Sequence, residues 1–431
     1  MPKVAFYTLG CKVNQYESAA MAELFLKKGY EVISFDEKAD VYVINTCDVT
    51  SESGRKSRQM IRKAVRKNPD AAIAVTGCYS QLQPRQVANI PGVDVVIGTT
   101  DRKSIVDLVE KSIDEKKQVV EVKDIMQQRN FEEIAFKGHR QKTRAFLKIQ
   151  EGCNMFCAYC IIPYARGPIR SRSIESIIDE AQSLARDGFQ EIVLTGIHLG
   201  LYGADIGNEK KLIDVITKIK DIEGIKRIRL SSIEVMELTE DFIKRLAEIE
   251  SFCHHFHIPL QSGSDSVLRR MNRRYTTGEF FETTQFIKKI MPDVSITTDV
   301  MVGFPGETSK EFKETVDFIK DVDFSRLHVF PFSARKGTPA AKMQNVVDKS
   351  TKRERSSILI DLGEKMEKEF RERFSGRTLE VLFEERMEKD FYEGLTENYI
   401  KVWAKSVEDL HNKLLPVRLE QNTQDYIIGK L

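Results

Sequence analysis

Three cysteines fall within eight residues in the segment EGCNMFCAYC, at Cys153, Cys157 and Cys160, spaced C-x3-C-x2-C. Thiolates at this spacing can each hold one iron of a cubic four-iron cluster. Three ligands for four irons leave one iron open, as a catalytic metal site requires. A structural zinc site is the competing use, but it wants four ligands in paired knuckles, and no fourth ligand stands at that spacing. Tyr159, beside Cys160, is placed to shield such a cluster from water. Three further cysteines, Cys11, Cys47 and Cys78, each close a short β-branched run: KVAFYTLGC, ADVYVINTC and AAIAVTGC. The seventh, Cys253, has no partner in sequence and reads as a core thiol.

The elements that must carry these residues follow from the pattern around them. Each of the three early runs is followed by a helical stretch, and VDVVIGTTDRKSIVDLVEKSID repeats the unit without cysteine. Strands alternating with helices predict a parallel α/β sheet, with apolar runs buried on both faces. Parallel strands end on one rim, so Cys11, Cys47 and Cys78 are expected together on the edge where open α/β sheets bind ligands. Six later runs, RAFLKIQEG, EIVLTGIHLG, RIRLSSIE, CHHFHIPLQSG, VSITTDVMVGFPG and RLHVFPFS, alternate with amphipathic helices. They predict a partial (β/α)6 barrel with its functional residues at strand carboxyl ends. The last sixty residues read as four or five short strands of a small antiparallel β-barrel, of a kind that binds oligonucleotides. The expected division is 1–114, a linker over 115–138, the barrel over 139–370 and the small β-barrel over 371–431.

The chain has 431 residues and a net charge of +2, so overall charge argues for no partner, and only local patches could. No run approaches the ~18 apolar residues of a membrane helix. The first residues read as a strand and its turn, without a signal peptide's features. Clustered cysteines with no secretory signal place the protein in the cytoplasm, where thiols stay reduced. SGRKSRQMIRKAVRKN carries Arg55, Lys56, Arg58, Arg62, Lys63, Arg66 and Lys67 with no acid, a pattern suited to a phosphate backbone. Arg269, Arg270, Arg273 and Arg274, and also Arg166, Arg170 and Arg172, form further basic clusters beside the barrel mouth.

Cys153, Cys157 and Cys160 match the motif of the radical S-adenosylmethionine superfamily residue by residue. With the triad Cys11, Cys47 and Cys78 ahead of it, and the small β-barrel of TRAM type behind, nearly the whole chain resembles the radical methylthiotransferase family. That resemblance implies two [4Fe-4S] clusters, with S-adenosyl-L-methionine bound at the open iron of the one held by Cys153, Cys157 and Cys160. It implies cofactor contacts at Tyr159, Thr195, Gly196, Ser231, Ser232, Glu234, Gln261, Asp299 and Val302. TLGCKVNQYES and GCNMFCAYCIIPYARGPIRSR look most like the branch acting on threonylcarbamoyladenosine beside the anticodon of transfer RNA. The isopentenyladenosine branch usually has Gln-Met where Lys12-Val13 stand, and a third branch modifies a ribosomal protein aspartate. Contacts to the RNA are then expected from Lys12, Arg55, Arg58, Arg62, Lys63, Arg66 and Arg166. An electron donor such as flavodoxin or ferredoxin and a sulfur source are implied as partners. A non-catalytic iron–sulfur RNA sensor is the reading from another class.

Overall fold

The computed structural model describes residues 1–134, 143–207 and 211–431. Its amino-terminal part is a six-stranded parallel sheet in the order Glu31–Ile33, Lys3–Thr8, Val41–Thr46, Ala72–Gly77, Val95–Ile97 and Val119–Glu121. Every residue of Val41–Thr46 and Ala72–Gly77 is buried, because helices cover both faces of these central strands. The stretch expected to be a linker therefore contains a strand: residues 119–121 pair with 95–97 as the sheet edge. The expected start of the next unit, residue 139, lies outside the described residues.

Six parallel strands follow: Arg144–Lys148, Glu191–Thr195, Arg227–Leu230, His255–His257, Ser295–Val302 and Arg326–Pro331. They lie side by side in chain order as two three-stranded sheets, joined by the bridges Ile228–Phe252 and Ser232–His257. Side chains alternate between the faces of each strand. Ile192, Leu194, Ile228, Leu230, Phe256, Ile296 and Val300 pack outward against helix residues such as Ile177, Ile216, Leu246 and Ile287, forming the main apolar core. The alternate set, Arg144, Arg229, His255, His257, Thr297, Asp299 and His328, lies on the opposite, inner face and is polar. This partial barrel is open between its first and last strands, with no pairing between them among the described residues.

The 24-residue helix Lys349–Glu372 leads into a closed five-stranded barrel of Thr378–Arg386, Phe391–Thr396, Lys401–Lys405, Leu414–Asn422 and Ile427–Lys430. Four of its pairings are antiparallel, and a parallel one between Lys401–Lys405 and Ile427–Lys430 closes it. This barrel is tied to the amino ends of the larger one. Arg227 donates to Leu395 O at 2.9 Å and Glu380 O at 2.7 Å, and Gln190 bonds Asn412 O. No described helix is long and apolar enough to cross a membrane.

Candidate active site

The α/β rim brings Cys11, Cys47 and Cys78 together, each at the carboxyl end of a neighbouring strand or in the turn after it. Gly10, at φ +106°, makes the approach possible: a Cβ there would lie 3.3 Å from Cys47 Sγ. Cys11 is exposed, whereas Cys47 and Cys78 are buried. Burial pushes the Cys78 thiol up to about 12.

Cys153, Cys157 and Cys160 lie in the loop after the first barrel strand. Arg273 Nη1 donates to Cys157 Sγ at 3.5 Å while its other nitrogen is paired with Glu234. His198 Nδ1 lies 3.5 Å from Cys153 Sγ, and its Nε2 is 3.0 Å from Glu237. Burial lowers the His198 imidazole, but its contacts with Cys153 and Glu237 prevail and hold it up at about 10. Sequence reasoning passed over His198 because no motif marks it; its place two residues after Gly196 was the available signal.

The short helix Ile162–Arg166 connects the two triads. It begins two residues after Cys160, and at its end Arg166 Nε reaches Cys78 Sγ at 3.4 Å. Arg166 was expected to contact RNA. It is instead fully buried, bonded to Glu17, Glu151 (2.6 Å) and Asn14 (2.6 Å). Around it, Arg102, Lys148 and Arg170 share the carboxylates of Glu17, Glu151 and Glu132. Four cations thus face three carboxylates beneath Cys78, and the surplus positive charge suits an anionic thiolate cluster.

Among the described residues, His257, Asp299 and His328 bring three potential ligand atoms within 4.8 Å of one another, apart from both cysteine triads. The strand ends near Cys153, Cys157 and Cys160 carry unsatisfied polar atoms, as a nucleoside and an amino-acid head would need: Ser231 Oγ and Gln261 Oε1 are buried without a partner among the described residues. Thr195 is buried at its strand end, and Gly196 is pressed on Gln150, whose Oε1 accepts from Ile197 N (2.9 Å) and His198 N (2.8 Å). Gln150 was another residue missed.

Other expected residues are placed less favourably. The Val302 side chain is in the outer apolar core, so only its backbone can meet a cofactor. Ser232 is exposed. Glu234 is occupied by Arg273, and Asp299 lies 3.4 Å from both His257 and His328. Tyr159 packs beside Ala158 and Phe332.

The basic helix is Ser51–Lys67, and its first turn does hold an acid, Glu52, which pairs with Arg55 at 2.5 Å. Lys63 and Lys67 both reach Asp36. Arg62 and Arg66 remain exposed, with Arg58 half-buried on the same face. The other two basic clusters are largely internal. Arg170 and Arg172 are buried against Glu151 and Glu180, Arg270 is paired with Glu311, and Arg269 and Arg274 alone of their group are exposed. Lys12 is half-buried and faces inward, within electrostatic reach of Arg144, Arg229 and Tyr399.

Comparison with known proteins agrees with this arrangement. Residues 147–319 match the Radical SAM superfamily, and residues 3–98 match the Uncharacterized protein family UPF0004. The chain is 47% identical to a threonylcarbamoyladenosine tRNA methylthiotransferase of Bacillus subtilis, over 100% of this chain and 96% of that protein. It is 43% identical to the protein of the same name from Aquifex aeolicus, over 95% and 98%. A tRNA-2-methylthio-N(6)-dimethylallyladenosine synthase of Acetivibrio thermocellus is 35% identical over 96% and 87%. Among solved structures, the radical S-adenosylmethionine methyltransferase TsrM of Kitasatospora setae shares the fold, with a TM-score of 0.58 and 15% identity over 79% of this chain and 74% of that one. On whole-length identity to those relatives, the chain belongs to the radical SAM tRNA methylthiotransferase family.

Proposed function

We propose that this enzyme adds a methylthio group to carbon 2 of threonylcarbamoyladenosine beside the anticodon of tRNA. The observation that carries the reading is the joining of two cysteine triads through one short helix, Arg166 at its end touching Cys78. Cys153, Cys157 and Cys160 would hold one four-iron cluster, and Cys11, Cys47 and Cys78 the other. When bound, the first cluster with S-adenosyl-L-methionine supplies a carbon radical, and the second is associated with the sulfur that is transferred.

The chain's own groups do the positioning. Arg273 and His198 donate toward the sulfurs of Cys157 and Cys153, which stabilises the thiolate form. Ser231 Oγ and Gln261 Oε1 offer hydrogen bonds to the cofactor's polar groups, and the Thr195–Gly196 backbone offers a close approach. Tyr159 keeps water from the site. The exposed face of Ser51–Lys67 and the carboxyl-terminal barrel grip the RNA. Seven free cysteines, six of them in two triads, fit a reducing cytoplasm, with flavodoxin or ferredoxin as electron donor and a separate sulfur source.

Mass spectrometry of tRNA nucleosides from cells with and without the gene tests the assignment. Loss of 2-methylthio-threonylcarbamoyladenosine, with its unmodified precursor accumulating, is expected. Loss of the methylthio-isopentenyl nucleoside instead would move the enzyme to the sister branch. Purified protein that forms no 5′-deoxyadenosine from S-adenosylmethionine under dithionite would remove it from catalysis.

A further inference from the structure

The charges on the inner face of the partial barrel are paired with one another, whereas Lys12, which reaches them from the amino-terminal part, is not. Arg229 is paired with Glu191 at 2.7 Å and also donates to Glu397 O at 2.7 Å. Arg144 is paired with Glu384. Asp299 sits between two imidazoles, His257 and His328. Lys12 has neither an ion pair nor a hydrogen bond among the described residues. Yet this rim residue next to Cys11 lies within electrostatic reach of these same two guanidiniums, of Tyr399 and of Glu191.

Two polar groups beside it are also incomplete. Tyr399 stands on a tight turn of the carboxyl-terminal barrel, at φ +68°, a conformation an aromatic residue adopts at a cost. Its hydroxyl oxygen accepts from Arg144 Nη1 at 3.1 Å, while its own hydrogen has no acceptor among the described residues. The Tyr399 ring stacks on His255 at 4.7 Å and 23°. His255 is 5% exposed; its Nε2 meets Thr297 Oγ1 at 3.2 Å, and its Nδ1 has no partner among the described residues. Burial and the cations around it hold this imidazole well below its usual range, so it is neutral; with its hydrogen on Nε2, donated to Thr297 Oγ1, Nδ1 is left to accept. The cluster therefore offers a cation, a hydroxyl donor and a buried acceptor, and Glu191, the carboxylate within electrostatic reach of Lys12, is already paired with Arg229.

We propose that Lys12 and the Tyr399 hydroxyl bind the carboxylate of the substrate's threonylcarbamoyl chain, while His255 Nδ1 accepts the hydrogen of its hydroxyl. An isopentenyl chain brings neither group and would leave Lys12 unpaired. The small barrel thus supplies the floor of the nucleoside pocket as well as a grip on RNA. This inference rests on the substrate reading above and goes further by naming the residues that read the side chain.

The test uses iron-loaded, full-length enzyme and an anticodon stem-loop bearing threonylcarbamoyladenosine, compared with the same RNA carrying the methyl ester of its carboxylate. A charge-assisted hydrogen bond of this kind is worth about ten- to a hundredfold. Esterification is expected to lower kcat/KM of the parent enzyme by that factor, mainly through KM. It should matter less than about threefold in Lys12→Met, and Lys12→Arg should restore most of the sensitivity. Tyr399→Phe, which keeps the stacking, should lose part of it. A parent enzyme indifferent to the ester overturns the proposal without any variant, and so does undiminished sensitivity in Lys12→Met. A parent that converts isopentenyladenosine RNA and ignores threonylcarbamoyladenosine RNA overturns the substrate reading first.

Discussion

Arg166 and Glu17 show how much a single buried charge carries here. Glu17 is 1% exposed, and burial alone would raise its carboxyl. Arg102, Arg166 and Lys148 outweigh that and hold it at about 2. Replacing Glu17 with Gln strands these cations, which costs about 3–5 kcal/mol where a buried pair is broken from one side. A denaturant midpoint unchanged in Glu17→Gln would contradict this. The pH sign follows from the lowered value: the carboxylate's contribution is complete above its ordinary value near 4.5 and is lost as pH falls toward about 2. The parent's stability should therefore fall more steeply than that of Glu17→Gln below about pH 4.5, as read by unfolding at stepped pH. At the cysteines, alanine at Cys153, Cys157 and Cys160 together should cut reconstituted iron from about eight to about four per chain and abolish cofactor cleavage. Retention of eight would reassign the ligands. Residue types and spacing made the six cysteines legible. They misled at Arg166, Arg172 and Arg273, whose carboxylate partners stand 149, 8 and 39 residues away. A sequence displays charge but not the fold that neutralises it.

At the scale of elements, the helix Ser51–Lys67 is held by a capping box at Thr50 and Ser53, and it buries Gly54, Ser57, Ile61 and Ala64. Arg58, Arg62 and Arg66, four residues apart and so in a row, run from beside the buried Tyr79 out to the exposed side. Changing these three to Gln should weaken tRNA binding and flatten the log–log salt dependence by about 2. A slope equal to the parent's would return the helix to a merely solvated role. Elements buried on both faces, such as 41–46 and 72–77, were plain in the sequence as unbroken apolar runs. The edge strands 31–33 and 119–121 were not. Each has three residues and one neighbour in the sheet, too short for any period to show.

Across the whole molecule, the sequence suggests three units in series, whereas the structure interlocks them. Arg227 and Arg229 are buried and spend their donors on backbone carbonyls of the small barrel at Glu380, Leu395, Thr396 and Glu397. Asn398 and Arg377 reach back to Asp293. Removing residues 374–431 would therefore leave several buried donors unmet, at about 1–3 kcal/mol each. Heating the intact protein should unfold the large and small barrels in one calorimetric transition. Two well-separated transitions would show that the small barrel is an independent appendage. The placement of Tyr399 also bears on how the protein is made. Cys160, the last cysteine of either triad, leaves the ribosome long before Tyr399 does. On the assignments proposed above, a chain halted in translation between them would hold all six cysteines meant for iron but lack the floor under its lumen. Iron loading and substrate competence thus become separable in time, with competence waiting for the final stretch of the message.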